Sequence, residues 1–202
     1  KANDVVVVYL AGHGVVLGQG ETSYGYLLSG VSDLAKPAPK GEASDVLTGL
    51  DLAQALAAVR ANQRAVFLDT CAAGEVRGAL RPGQLPAKSF EQLRERDGVF
   101  VLAGSARDQS SYESSVYGQG LLTYSLLLGL SCGCHFRDDV IVDVSRLMDF
   151  ACERVPLLSE QMGFTMPQIP VKAEGDVSFA IGTLTPDERA KIPLAQPVPA
   201  FV

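Results

Sequence analysis

The sequence predicts an α/β fold: a sandwich with helices on both sides of a mostly parallel sheet. Three observations predict it. Residues 4–10 (DVVVVYL), 65–69 (AVFLD) and 98–103 (GVFVLA) are short continuous apolar runs, the pattern of strands buried on both faces. Between the first two, residues 51–60 (DLAQALAAVR) set Leu52, Ala55, Leu56 and Val59 on one helical face. Such a helix is what a crossover between neighbouring parallel strands requires.

The remaining elements follow in order. The first run ends in Ala11-Gly12-His13-Gly14, where glycines let the backbone turn sharply. Residues 15–17 and 24–28 flank a polar, glycine-bearing segment and read as a β-hairpin. Residues 36–44, with two prolines and two lysines, read as a loop. Asp51 is placed to cap the first helix. Residues 74–88 read as a loop and 89–96 as a short helix. After the third strand, residues 104–120 form a long polar loop, 121–130 an apolar helix and 132–139 another loop. Residues 143–155 form an amphipathic helix with Val144, Leu147, Met148 and Ala151 on one side, and 177–181 a last strand. Residues 185–202 carry four prolines and read as an extended tail. No internal repeat is visible.

Composition narrows the class. The chain has 202 residues, 47% of them hydrophobic, enough for one domain with a real core. Its formal net charge is −6 and no basic stripe is present, so nucleic acid is not an expected partner. The longest apolar stretch, 120–134, contains Thr123, Ser125 and Ser131 and is short for a membrane span, so no membrane is expected either. Cys71, Cys132, Cys134 and Cys152 do not form a dense disulfide framework, which points to a reducing, cytoplasmic setting. The chain begins almost directly in a strand and reads as a piece of a longer protein.

Two strands end in reactive residues, the first in His13 and the second in Cys71. In an open α/β sheet, ligands gather outside the carboxyl ends of the strands. If the two strands are neighbours, His13 and Cys71 face each other across one cleft. A histidine beside a thiol populates the thiolate or removes its proton as attack proceeds. Backbone N–H groups of Gly14 and Cys71 are candidates for an oxyanion hole.

The motifs YLAGHG (residues 9–14) and LDTCAAG (68–74), in this order, resemble the caspase/metacaspase superfamily of cysteine peptidases. Residues 101–113 (VLAGSARDQSSYE) and 117–130 (YGQGLLTYSLLLGL) resemble the third strand, specificity loop and following helix of bacterial caspase homologues. A weaker match is MPQIPVKAEGDVSFAIG, near the family's last strand. The resemblance spans roughly residues 4–182. It implies a caspase-like peptidase domain over 1–182, with a proline-containing tail over 183–202. It implies that His13 and Cys71 form the catalytic dyad. Caspases have Gln two residues before the cysteine; this chain has Asp69, as metacaspases and bacterial homologues do, where the acid helps form a pocket for Arg or Lys. Asp108 would be a second wall of that pocket. The family's first two strands and first helix are missing from this chain, which implies an upstream N-terminal fragment of the same protein as a partner.

The expected function is therefore a cysteine endopeptidase acting on protein or peptide substrates after basic residues. A catalytically silent caspase-like interaction module is the alternative, though a scaffold has no need of both motifs. A nucleotide-binding domain is disfavoured, because position 17 is Leu where the third glycine of a dinucleotide loop falls. No cofactor is expected. Cys132, Cys134 and His135 are too tightly spaced for an evident zinc site unless Cys152 folds back. Asp138 and Asp139 read as part of a solvated loop, although some metacaspases bind calcium.

Overall fold

A computed structural model describes residues 1–16, 24–27, 46–72, 99–105, 113–114, 117–133 and 136–195. The expected loops at 36–44 and 74–88, the expected helix at 89–96, and Asp108, Cys134 and His135 lie outside the described residues.

The chain enters through β1 (Val5–Val16), which turns into β2 (Tyr24–Leu27) and then β3 (Val46–Thr48). Helix α1 (Gly49–Ala58) leads to β4 (Gln63–Ala72). After β5 (Val99–Ala103) come the short strands β6 (Glu113–Ser114) and β7 (Gln119–Gly120). Helix α2 (Leu121–Cys132), β8 (Ile141–Asp143) and α3 (Val144–Gln161) follow. The chain closes with β9 (Val171–Ala173), β10 (Ala180–Thr183) and a single helical turn, α4 (Pro186–Arg189).

Six strands form the main sheet in the order β3-β2-β1-β4-β5-β9. The central three, β1, β4 and β5, are parallel, and the expected hairpin β1-β2 is antiparallel. Strand β9 closes the far edge antiparallel to β5. One face packs Val66, Leu68, Val99 and Val101 against Leu52, Ala53 and Leu56 of α1. The opposite face packs Ala65, Phe67, Phe100 and Leu102 against α2 and α3, with Phe179 edge-on to Phe100 at 5.2 Å. This is the α/β/α sandwich that the alternating runs predict.

One expectation is corrected at β1. The run is not buried on both faces: Val5, Val7 and Tyr9 are 37%, 47% and 46% exposed, while Val8 and Leu10 pack toward α1. The cause is position. Among the described residues, positions 5–13 of β1 pair only with β4, and the apolar surfaces of α2 and α3 lie over β4 and β5.

A second correction concerns the start of α1. Its cap is Thr48, whose hydroxyl accepts from the Asp51 N–H at 3.1 Å, while Asp51 accepts from the Thr48 N–H at 3.1 Å. Asp51 is thus the third helical residue of a reciprocal capping box, which stabilises a helix by about 1 kcal/mol.

Helix α3 runs further than residues 143–155, through Pro156 to Gln161. Proline removes one helical hydrogen bond. Burial of Val155, Leu158 and Ser159 holds the later turns, and the Ser159 hydroxyl donates to the Pro156 carbonyl at 2.7 Å. Its N-cap, buried Asp143, accepts from the Arg146 N–H and the Ser178 hydroxyl and pairs with Arg137. A carboxylate at this positive helix end is favourable.

Helix α2 is apolar nearly all round because it packs against both the sheet and its neighbour α3. Among the described residues no helix is long and apolar enough to cross a membrane. It ends at Gly133, in the left-handed region (φ 59°), directly under the Arg189 side chain. Arg189 donates to the Cys132 carbonyl at 3.4 Å and stacks over Phe136. Beyond β10 the expected extended tail is corrected: it begins with the helical turn α4, and Leu184 and Leu194 pack on the core.

Candidate active site

Strands β1 and β4 stay in parallel register over ten residue pairs, from Val5 opposite Gln63 to Gly14 opposite Ala72. That register puts Ala11 opposite Asp69 and His13 opposite Cys71. Neighbouring strands lie about 4.8 Å apart. The two residues marked by sequence therefore occupy directly paired positions near the carboxyl ends of adjacent strands, where an α/β sheet collects its ligands. Just before His13, Gly12 adopts φ 143°, a conformation open to glycine and strained for other residues. Gly14, a candidate oxyanion donor, is buried and pairs with both Ala72 and Tyr26.

Asp69, two positions before Cys71, is 4% exposed. Its Oδ2 accepts from the Thr123 N–H at 2.9 Å and from the Thr123 hydroxyl. Thr123 is the third residue of α2, so Asp69 satisfies one of the N–H groups that a helix leaves open at its start. The helix's own N-cap position is Gly120, which offers no side chain. A methyl group at Gly120 would overlap the Asp69 carboxylate. Glycine is needed here for space, since its φ is an ordinary −63°. The sequence alone suggests capping or a substrate pocket for Asp69; its geometric partner is a helix 54 residues away.

Tyr9 extends this contact to β1, its hydroxyl lying 2.5 Å from the Thr123 Oγ1. Burial pushes the Tyr9 phenol above its ordinary value. The Thr123 hydrogen bond opposes that shift, and the Asp69 charge adds to it. The phenol therefore keeps its proton at neutral pH and serves as a donor.

A second buried polar contact holds the end of β5. The Gly104 N–H donates to the Leu68 carbonyl at 2.9 Å, and the fully buried Gln168 donates from Nε2 to the Gly104 carbonyl at 2.6 Å. The Gln168 N–H in turn donates to the Ser159 hydroxyl at 2.9 Å. Gln168 thus ties the point where the chain leaves the sheet, shortly before Asp108, to α3. Sequence reasoning missed Tyr9, Gly120, Thr123 and Gln168. A helix that begins Gly-Leu-Leu-Thr without a capping side chain is the one local signal that its cap lies elsewhere.

Among the described residues no cluster of three or more His, Cys, Asp or Glu is placed to hold a metal. Cys132 is disulfide-bonded, against the expectation that the four cysteines sit in a reducing setting. Cys152 is a free thiol on α3. Burial pushes it up to about 11, opposed by Lys172 and reinforced by Asp149, Glu174 and Glu153. The thiolate is the reactive form, so Cys152 stays inert at neutral pH. Iodoacetamide is expected to label Cys152 slowly at pH 7, with a rate rising about tenfold per pH unit until the thiol titrates near pH 11. Peptide mass spectrometry across a pH series checks this, and rapid labelling at pH 7 contradicts it.

Comparison with known proteins agrees with this layout. No curated protein matches the chain. The profile of the caspase domain matches residues 1–175, which include β1, β4, β5 and α2 with both paired positions. The parallel strands that bring His13 beside Cys71, and the match across most of the chain, lead to one assignment: the chain belongs to the caspase domain family of cysteine peptidases.

Proposed function

We propose that the chain carries the dyad of a cysteine endopeptidase that cleaves after Arg or Lys. The observation that carries this reading is the register pairing of His13 with Cys71 on adjacent parallel strands in a caspase domain. Cys71 passes its thiol proton to His13 as its sulfur attacks the peptide carbonyl carbon, forming a C–S bond while the carbonyl π pair moves onto oxygen. Backbone N–H groups at Gly14 and Cys71 receive the oxyanion. Collapse breaks the C–N bond as His13 delivers a proton to the leaving amine, leaving a thioester. Water, deprotonated by His13, then adds to the thioester and releases the acid and the Cys71 thiol.

Asp69 supports the basic preference. It is a buried carboxylate on β4, two positions before the nucleophile, and a pleated strand returns to the same face every second residue. Asp108 is assigned to the same pocket by family resemblance. We also propose that an upstream fragment of the same protein lies along β1. The exposed Val5, Val7 and Tyr9, on a strand paired to one side among the described residues, support this, because such an edge invites a further strand.

Fluorogenic peptides with Arg, Lys or Asp at the residue before the cleaved bond (P1), assayed on the full protein with and without calcium, test the proposal. Arg and Lys peptides are expected to be cleaved and the Asp peptide spared. Preference for Asp at P1 refutes the specificity. Absence of all cleavage favours a silent interaction module.

A further inference from the structure

We propose that Thr123 is a positioning residue for substrate selection, fixing the Asp69 carboxylate in the orientation that receives a basic P1 side chain. The proposal rests on the reading of Asp69 as the P1 partner and adds the residue that aims it.

Hydrogen-bond bookkeeping gives the direction of the contact. A threonine hydroxyl has one proton, and an ionised carboxylate only accepts. Thr123 therefore donates its proton to Asp69 Oδ2, and the Tyr9 hydroxyl must donate to Thr123 Oγ1. The chain of donors runs Tyr9 to Thr123 to Asp69 and joins three elements: β1 with His13, α2, and β4 with Cys71. Both Thr123 donors, its N–H and its hydroxyl, meet the same carboxylate oxygen. The surface of Gly120 blocks movement from another side. The carboxylate is thereby fixed before substrate arrives, and a fixed partner loses less freedom on binding.

The hydroxyl can be removed without removing the shape. Thr123→Val keeps the branched side chain and the backbone N–H, but it takes one donor from Asp69 and the acceptor from Tyr9. Thr123→Ser keeps the hydroxyl and is the rescue variant. In the full protein, the ratio of kcat/KM for an Arg-P1 peptide to that for a neutral-P1 peptide is expected to fall about tenfold in Thr123→Val, mostly through KM. Thr123→Ser is expected to keep the wild-type ratio. Thermal melting of each variant separates this from loss of fold, since misfolding lowers both substrates together. An unchanged ratio in a folded Thr123→Val protein overturns the proposal, as does a serine variant that behaves like valine.

If the wild-type protein shows no basic preference, the P1 reading of Asp69 fails on its own account. Hydrogen exchange at the Thr123 amide then decides the contact itself. Faster exchange in Asp69→Ala supports the tie between Thr123 and Asp69, and unchanged exchange overturns it.

Discussion

Replacing Cys71 with alanine is expected to abolish peptide hydrolysis, by a factor on the order of 10³ or more, while leaving the fold intact. Position 71 lies at the end of β4, opposite His13 and followed by Ala72, at a level of the sheet where small residues already stand. The core under it is built from Ala65, Phe67 and Leu68 lower on the same strand, and alanine disturbs none of them. His13→Ala is expected to lose about as much, and the double variant little more, because the members of the proposed dyad would act as a unit and their losses would not add. Steady-state kinetics with an Arg-P1 peptide and thermal melting by circular dichroism make the comparison. Wild-type turnover in Cys71→Ala would place the nucleophile elsewhere.

Asp69 carries the second large effect, and two substitutions separate its two duties. Asparagine keeps a carbonyl oxygen for the Thr123 N–H, and it caps helices about as well as aspartate. It removes the charge proposed to pair with a P1 cation. Asp69→Asn is therefore expected to lower kcat/KM for Arg and Lys peptides on the order of 100-fold, since deleting one member of a shielded ion pair costs several kcal/mol. Its melting temperature should stay near wild type. Asp69→Ala removes charge and cap together. It should show the same selectivity loss and, in addition, about 1 kcal/mol of lost stability, a fall of about 2–4 °C in Tm. Equal melting temperatures for the two variants would show that Asp69 does not hold α2 in solution. Equal cleavage of Arg peptides by Asp69→Asn and wild type would remove it from the P1 pocket.

The central sheet is legible in the sequence because its signals are local. The run at 99–103 is apolar at every position, and all five residues are buried between two helical layers. The pairing of His13 with Cys71 follows from two strands of similar length joined through a helix. Strand β1 misleads because valine at four successive positions hides which face is covered, and only the placement of α2 and α3 decides it. Strands β3, β8 and β9 have three residues each, too short to show a period. The capping box at Thr48 is written in the sequence as Thr-x-x-Asp, and only the geometry shows which end of the pair is the cap. The Asp69–Thr123 contact is beyond local reading altogether. It joins residues 54 positions apart, and only the packing of α2 across β4 brings them together.

The empty side-chain position at Gly120 has a consequence for which sequences this scaffold can accept. The cap of α2 has two addresses: the residue at 120, which is its usual place, and the residue at 69, which reaches in from the sheet. Both cannot be filled, because the carboxylate at 69 occupies the space that a side chain at 120 needs. The two positions are therefore exclusive alternatives. Serine at 120 clashes while aspartate is present, yet in a chain with alanine at 69 the same serine has room and supplies the missing acceptor from its own helix. A change that is severe in one background becomes a repair in the other. The repaired chain recovers its helix and not its acid, so the architecture can be handed from one residue to the other, and the charge two positions before Cys71 cannot.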